Sequence, residues 1–585
     1  GRLAPGDAGS LALTIGRQAL VPGSLALDGV TLRGLDFAGG GSLRLGTPGF
    51  TLGADQGGTA GAWPFPAALL DGSQGFGRID IGAEGDLRLA SGTRLAPVLH
   101  QWQLQPGHAE VASGTMAPTV VRAAPADPQL GPVPAVDLRL AATRPLQPAL
   151  GQQGGSLVVE RGAAISLAPG AALVLEATRN LSVGTEGGAA GQAAVLEAPG
   201  GDLTLRINGQ RGARTLSEVA DDPAGYLADQ ALWLGADARL SVAGTAVLRP
   251  QARADLAVGP VAAPAAAGMA RTGEVLGGGR ITLEAQRGHV VAQAGAVLNL
   301  DGAVANLTPA GRPAPVQIAR AAGQLTVRSP EGFALEATVS AAAPRDADGR
   351  ALADGGRLDL GVGLGGVASF TAGNAYPGSL VDNAQGAPIP GAVALPRELR
   401  IEADAGRLAR LAPGADGRID WAALLGSGSG WIGTGLLTAA GFDGLRLGAG
   451  DRIRFDTGLA LHMPLGIVLD APLVAAAPGV AVALGGGQLV LGDQTDPQRR
   501  RGDPPERLAR GDGSSAASTT LTLRAPTITL AGQTALQGFD SVALQAGADI
   551  RLTAADPARG ADQGSLAFAG DLLLQAAQVV ATTGT

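Results

Sequence analysis

The chain has 585 residues, a formal net charge of −8, no cysteine and, among its 43 basic residues, no lysine. Zero Cys excludes disulfides, thiolate metal sites and thiol nucleophiles. An acidic chain without a basic stripe argues against nucleic acid as a partner. Ninety-three glycines, 3% aromatic and 45% hydrophobic residues allow a large core, but one made of Leu, Val and Ala rather than rings.

From the N-terminus one motif recurs: one or two turn residues, then apolar-x-apolar, then another turn. It reads GSLAL from Gly9 and Gly23, GSLRL from Gly41, GDLRL around Leu87, GSLVV from Gly155 and GDLTL from Gly201. It continues as GRITL from Gly279, GQLTV from Gly323, GRLDL from Gly356, GQLVL from Gly487 and GSLAF from Gly564. Period-two alternation predicts short strands with one buried face. Helical periodicity is scarce. The exception is SEVADDPAGYLADQALWLG from Ser217, where Asp221 and Asp222 read as capping residues of a short helix in an insertion.

The spacing predicts the architecture. Leu43 to Leu87, Ile281 to Leu325 and Leu445 to Leu489 are each 44 residues apart, and Leu521, Val542 and Leu566 follow at 21 and 24. A unit of about 22 residues, three short strands and three turns, closes one coil of a parallel β-helix. About 22 such coils at about 4.8 Å would make a rod roughly 100 Å long. The expected organisation is N-terminal coils over 1–60, coils with Pro-rich insertions over 61–155 and a shaft over 156–491 with an insertion near 207–235. An exposed polar loop over 492–518 and C-terminal coils over 519–585 complete it. GFDGLRLGAGDRIRF (Gly441–Phe455) and GFDSVALQAGADIRL (Gly538–Leu552) repeat one sentence 97 residues apart. We read it as a scaffold unit, with Asp443 and Asp540 holding corners.

Candidate chemistry is sparse. Two Arg-Gly-Asp triplets, Arg501, Gly502, Asp503 and Arg510, Gly511, Asp512, lie in the polar loop. An exposed triplet of this kind presents a guanidinium and a carboxylate as integrins read them, although composition alone supplies about half a triplet in this length. His100 and His108 flank QWQLQPG, with no Asp beside them, while His289 and His462 are lone residues in apolar segments and read as structural. No Gly-x-Ser-x-Gly elbow, His-Glu-x-x-His or calcium nonapeptide occurs, so no catalytic, metal or cofactor site is expected. Asn180 and Asn306 head glycosylation-type triplets at chance frequency. Of Trp63, Trp102, Trp233, Trp421 and Trp431, only Trp421 and Trp431 are close enough in sequence to suggest a carbohydrate platform.

The stretches GGGRITLEAQRGHVVAQAGAVLNLDG (277–302) and GQLTVRSPEGFALEATVSA (323–341), with the two GFD units, resemble the filamentous haemagglutinin family. The likeness is diffuse and strongest over about 277–550. It implies a right-handed β-helical shaft, export by two-partner secretion through an outer-membrane transporter, and a secreted protein held at the outer-membrane surface of a Gram-negative cell. It implies an adhesin whose partner is a host-cell or extracellular-matrix receptor or glycan. Alternatives are a stalk presenting a C-terminal toxin and a polysaccharide-active β-helix enzyme. The family's N-terminal secretion domain with its NPNL-type motif is absent, from which an interior piece of a longer protein is expected. Binding is expected on inserts near 100–135, 207–235, 300–320, 341–355, 370–397 and 492–518.

Overall fold

The apolar-x-apolar motifs among the described residues form strands, and the strands stack in parallel; the motif from Gly23 lies outside the described residues. The computed structural model describes residues 8–14, 32–36, 39–53, 65, 67–104, 119–123, 135–147, 152–208, 227–252, 269–308, 314–362, 397–403, 406–411, 418–426, 428–492, 517–553 and 565–581. The described residues are nearly all β, arranged in three long parallel ladders. Ladder I runs from Ser10–Thr14 through Gly41–Thr47, Phe76–Ala83 and onward to Gln578–Ala581, fifteen rungs in all among the described residues. Ladder II begins at Phe50–Leu52 and ends at Ser565–Phe568. Ladder III begins at Arg94–Leu95 and reaches Thr338–Ser340. It resumes at Leu459–Met463 and continues to Asp571–Gln575. The chain visits I, II and III in that order and then re-enters I one rung on.

In-register pairing sets the two apolar residues of each motif directly on those of the rung before. Leu203, Ile281 and Leu325 stack in one column, Leu205, Leu283 and Val327 in the next, and all six are essentially solvent-free. One continuous core extends in this way from Leu43 to Ile550. At the last described rung the corresponding side chains Leu572, Leu574 and Val579 remain 45%, 45% and 52% exposed.

The repeat length differs from expectation. A 22-residue circuit occurs from Leu445 to Ile467 to Leu489 and from Ile528 to Ile550. Elsewhere insertions lengthen it, so the described residues make about fifteen rungs where 22 were expected, roughly 70 Å of ladder rather than 100 Å. The three 44-residue spacings have three origins. Leu445 to Leu489 spans two circuits. Ile281 to Leu325 is one circuit holding an antiparallel hairpin, Ala303–Leu307 with Val316–Arg320. Leu43 to Leu87 runs from ladder I to ladder II.

The two GFD units are scaffold, but they occupy different corners. Gly441 turns the chain from ladder III into ladder I, whereas Gly538 turns it from ladder II into ladder III, three and two-thirds circuits later. Local geometry is nevertheless shared. Both glycines have positive φ, 83° and 81°, which only Gly adopts cheaply, and both Phe rings are buried. Each Asp Oδ2 accepts a backbone N–H from an earlier segment, Gly355 for Asp443 (2.5 Å) and Thr519 for Asp540 (2.7 Å).

Two further departures shape the surface. In ladder II, Glu398–Glu402 lies between Ser429–Gly433 and Arg452–Phe455 although it precedes both in the chain. This extra rung is cancelled later, where Leu473–Ala476 pairs directly with Gln533–Gln537 while ladder I advances two rungs. In ladder III the helix Thr434–Ala439 takes the place of a strand between Thr338–Ser340 and Leu459–Met463.

Replacing Leu283 with Ala removes a fully buried side chain from the column and is expected to cost about 2–5 kcal/mol. Urea unfolding of the variant beside the parent measures it, and a change under about 1 kcal/mol would show that the column can collapse around the gap.

Candidate binding surface

All six residues of the Arg-Gly-Asp triplets, Arg501 to Asp503 and Arg510 to Asp512, lie outside the described residues, as do Asp221, Asp222, His108 and Trp63. The described surface carries other features that sequence reasoning missed.

On the outward side of ladder I, charge alternates rung by rung: Arg44, Asp80, Arg139, Glu176, Arg206, Glu284, Arg328, Asp359, Arg446, Asp470. Asp80 lies 3.1 Å from Arg44 and 2.6 Å from Arg139, and Arg139 reaches Glu176 at 2.5 Å. Arg206 bridges Glu176 and Glu284 at 3.7 and 3.0 Å. Register places Arg328 over Glu284, and Arg328–Asp359, Asp359–Arg446 and Arg446–Asp470 close at 2.6, 3.7 and 2.7 Å. Burial opposes the charge of Arg139, but hydrogen bonds and charge from Glu176 and Asp80 more than offset it and raise its pKa. Carboxylates thus converge on one face, each next to a guanidinium.

The corner from ladder I to ladder II holds buried polar groups. Arg287 donates from Nε and Nη2 to Glu331 Oε1 at 3.0 and 2.9 Å, and Gly288 N–H donates to Oε2 at 2.9 Å. Both side chains are buried, Glu331 to 1% exposure. His289, next along, is fully buried. Its burial, then the backbone of Gly426 and the charges of Arg397 and Asp420, set its pKa, which is lowered to about 4. The structural reading of His289 agrees with this burial, whereas His462 is exposed on the outer side of ladder III. Above this corner a second apolar cluster covers the outside of ladder II, where Leu408, Ile419, Trp421 and Leu425 pack on Ala231, Val291 and Ala334.

Trp421 and Trp431 form no carbohydrate platform. Trp421 meets Trp233 edge-on at 5.4 Å inside that outer cluster. Trp431 donates from Nε1 to Leu425 O at 2.8 Å and is stacked by Arg407 and Arg400, with guanidinium carbons 3.2 and 4.6 Å from the ring centroid.

The inserts are ordered in space. The hairpin Thr245–Ala252 with Met269–Leu276, the hairpin Ala303–Leu307 with Val316–Arg320, and the 342–355 loop leave three consecutive rungs at the corner from ladder III to ladder I. They are bonded to one another: Gly244 N–H donates to Asp301 O (2.8 Å), Thr308 N–H to Arg271 O (2.7 Å) and Gly302 N–H to Ala342 O (3.0 Å). Asp301 Oδ1 also accepts from Ser340 Oγ and Ala342 N. The hairpin His100–Leu104 with Thr119–Ala123 leaves the same corner nearer the N-terminus. Three of the expected inserts, 100–135, 300–320 and 341–355, therefore share one corner. The 245–276 hairpin was not anticipated. The insert at 207–235 is described at 207–208 and from 227, and that at 370–397 only at 397, each after a strand of ladder I, and the 492–518 insert only at its two ends.

Arg287→Met leaves the buried Glu331 carboxylate without its guanidinium and is expected to cost about 3–5 kcal/mol in denaturant unfolding. Arg287→Met with Glu331→Leu should recover most of the loss; equal losses in both would mean that packing, not charge, is at stake. His289 predicts an acid dependence. The unfolded chain takes up this proton near pH 6.5 and the folded chain only near 4, so stability declines as pH falls through that interval, by up to roughly 3 kcal/mol. His289→Gln should flatten that part of the profile, and an unchanged slope would assign the acid sensitivity to other groups.

Comparison with protein families, with curated proteins and with solved structures finds no match for this chain.

Proposed function

We propose that the chain is a right-handed parallel β-helix serving as the shaft of a secreted bacterial surface adhesin of the filamentous haemagglutinin type. The stacked ladders bear load and the lateral inserts bind. Visiting three parallel ladders in a fixed order is what a β-helix does, and the right hand follows the general preference of crossovers between parallel strands. The observation that carries the reading is the wall of three consecutive, mutually bonded inserts at one corner. Loops held on a rigid scaffold are where recognition concentrates, and stacked inserts offer a contact surface larger than any one hairpin. The partner is a receptor or glycan of host cells or matrix, with the Arg501–Asp503 and Arg510–Asp512 triplets as a second contact. The chain would reach the surface through a two-partner-secretion transporter.

Beads coated with the chain are expected to adhere to epithelial cells or to matrix-coated glass. Replacing the 245–276 and 303–320 hairpins by the tight turn found at Ala198–Gly201 should reduce adhesion about tenfold at an unchanged melting temperature. Asp503→Glu with Asp512→Glu measures the triplets separately. Adhesion that survives all of these changes, or its absence from the parent, would refute the reading.

A further inference from the structure

The helix that interrupts ladder III leaves a strand edge open. Thr338 N–H donates to Ala296 O, and Ser340 O accepts from Leu300 N–H, so residues 338 and 340 spend their backbone groups on the preceding rung, Val297–Asn299. By the alternation of a parallel ladder, the N–H and C=O of Val339 point the other way. On every other described rung of this part of ladder III a strand follows; here the helix Thr434–Ala439 does, and among the described residues the backbone bond that closes the gap is from Ala341 N–H to the O of Ala440, just past the helix. A groove of about 400 Å³ opens between them, floored by Val339, Trp431, Leu436 and Ala439. Among the described residues its ionisable lining is Glu336, Glu402 and Arg407. Arg407 occupies both oxygens of Glu402 (2.7 and 2.9 Å), and Glu336 gives Oε1 to the Leu408 N–H (2.9 Å). Among these described groups Glu336 is the carboxylate that no cation pairs.

We propose that this groove binds a short extended peptide, apolar with one basic side chain, which adds edge-on to Thr338–Ser340 through the backbone of Val339 and pairs its cation with Glu336. Edge addition supplies affinity from main-chain hydrogen bonds and selectivity from the side chains between them. The volume suits about three residues, and the apolar floor suits aliphatic side chains. The proposal concerns a different surface from the lateral inserts and does not depend on adhesion.

The probe is the blocked pentapeptide acetyl-Val-Arg-Val-Thr-Val-amide, read by hydrogen exchange at single amides. In the free chain the Val339 amide is expected to exchange at least about tenfold faster than that of Leu298, which lies on an inner rung. Peptide at about 1 mM should slow Val339 at least about tenfold and leave Leu298 unchanged. The same peptide with Glu for Arg should bind about tenfold more weakly, as should the parent peptide to Glu336→Gln. Val339→Pro removes the outward N–H at the expense of some buried side-chain packing and, folded, should not bind. If it does not fold, Leu436→Trp, which fills the groove, should abolish binding instead. Val339 as slow as Leu298 in the free chain, no slowing by peptide, or binding that persists in the groove-filled variant would overturn the proposal.

Discussion

Every rung must set its two inward side chains on those of the rung before. That requirement of in-register parallel stacking governs the rest of the molecule. Because Leu203, Ile281 and Leu325 share a column, a strand cannot slip by one residue without turning a whole rung inside out. Insertions are therefore confined to corners, where no column is interrupted. Corners in turn demand tight reversals between closely stacked backbones, and a Cβ at Gly201 or Gly279 would lie 2.0 or 1.7 Å from a carbonyl oxygen of the neighbouring turn. The glycine-rich composition follows from this geometry.

The same stacking constrains charge. Outward side chains on adjacent rungs are about 4.8 Å apart at the backbone, close enough for like charges to repel and unlike ones to pair. From Arg44 to Asp470 the chain alternates sign on ten successive rungs of ladder I, and where register does not align the partners an Arg reaches diagonally, as Arg139 does to Glu176. These pairs are partly exposed, and each contributes about 1 kcal/mol or less. Their larger effect is on register, since a displaced rung would set Arg on Arg. The buried Arg287–Glu331 pair is of another kind: its cost of desolvation is tolerable only because three hydrogen bonds meet the carboxylate.

Regular stacking also makes its interruptions informative. The extra rung Glu398–Glu402 and the helix Thr434–Ala439 occur within one stretch of chain, and together they create the groove beside Thr338–Ser340. The covering segment with Leu408, Ile419 and Trp421 packs on the outer face of ladder II there, which is otherwise the solvent side of a strand. Over this stretch the molecule departs from plain parallel stacking, and the buried polar corner of Arg287, His289 and Glu331 lies under the same cover.

Local sequence determined the strands, their inward faces and the corner roles of Asp443 and Asp540, because period-two alternation and turn chemistry act within a few residues. It also marked 300–320 and 341–355 as inserts. It did not determine which motif belongs to which ladder. GDLRL at Leu87 serves ladder II and GDLTL at Leu203 serves ladder I with the same pattern, and the two GFD units serve different corners. The alternating charges were present in the motifs themselves, as Arg in LTLR and Glu in ITLE, but their order has meaning only once residues as far apart as Arg206 and Glu284 are stacked. Rung assignment, the charge ladder, the wall of inserts and the open edge at Val339 are decided by contacts between circuits. Those contacts depend on how much chain each corner insert takes up, which no local pattern encodes.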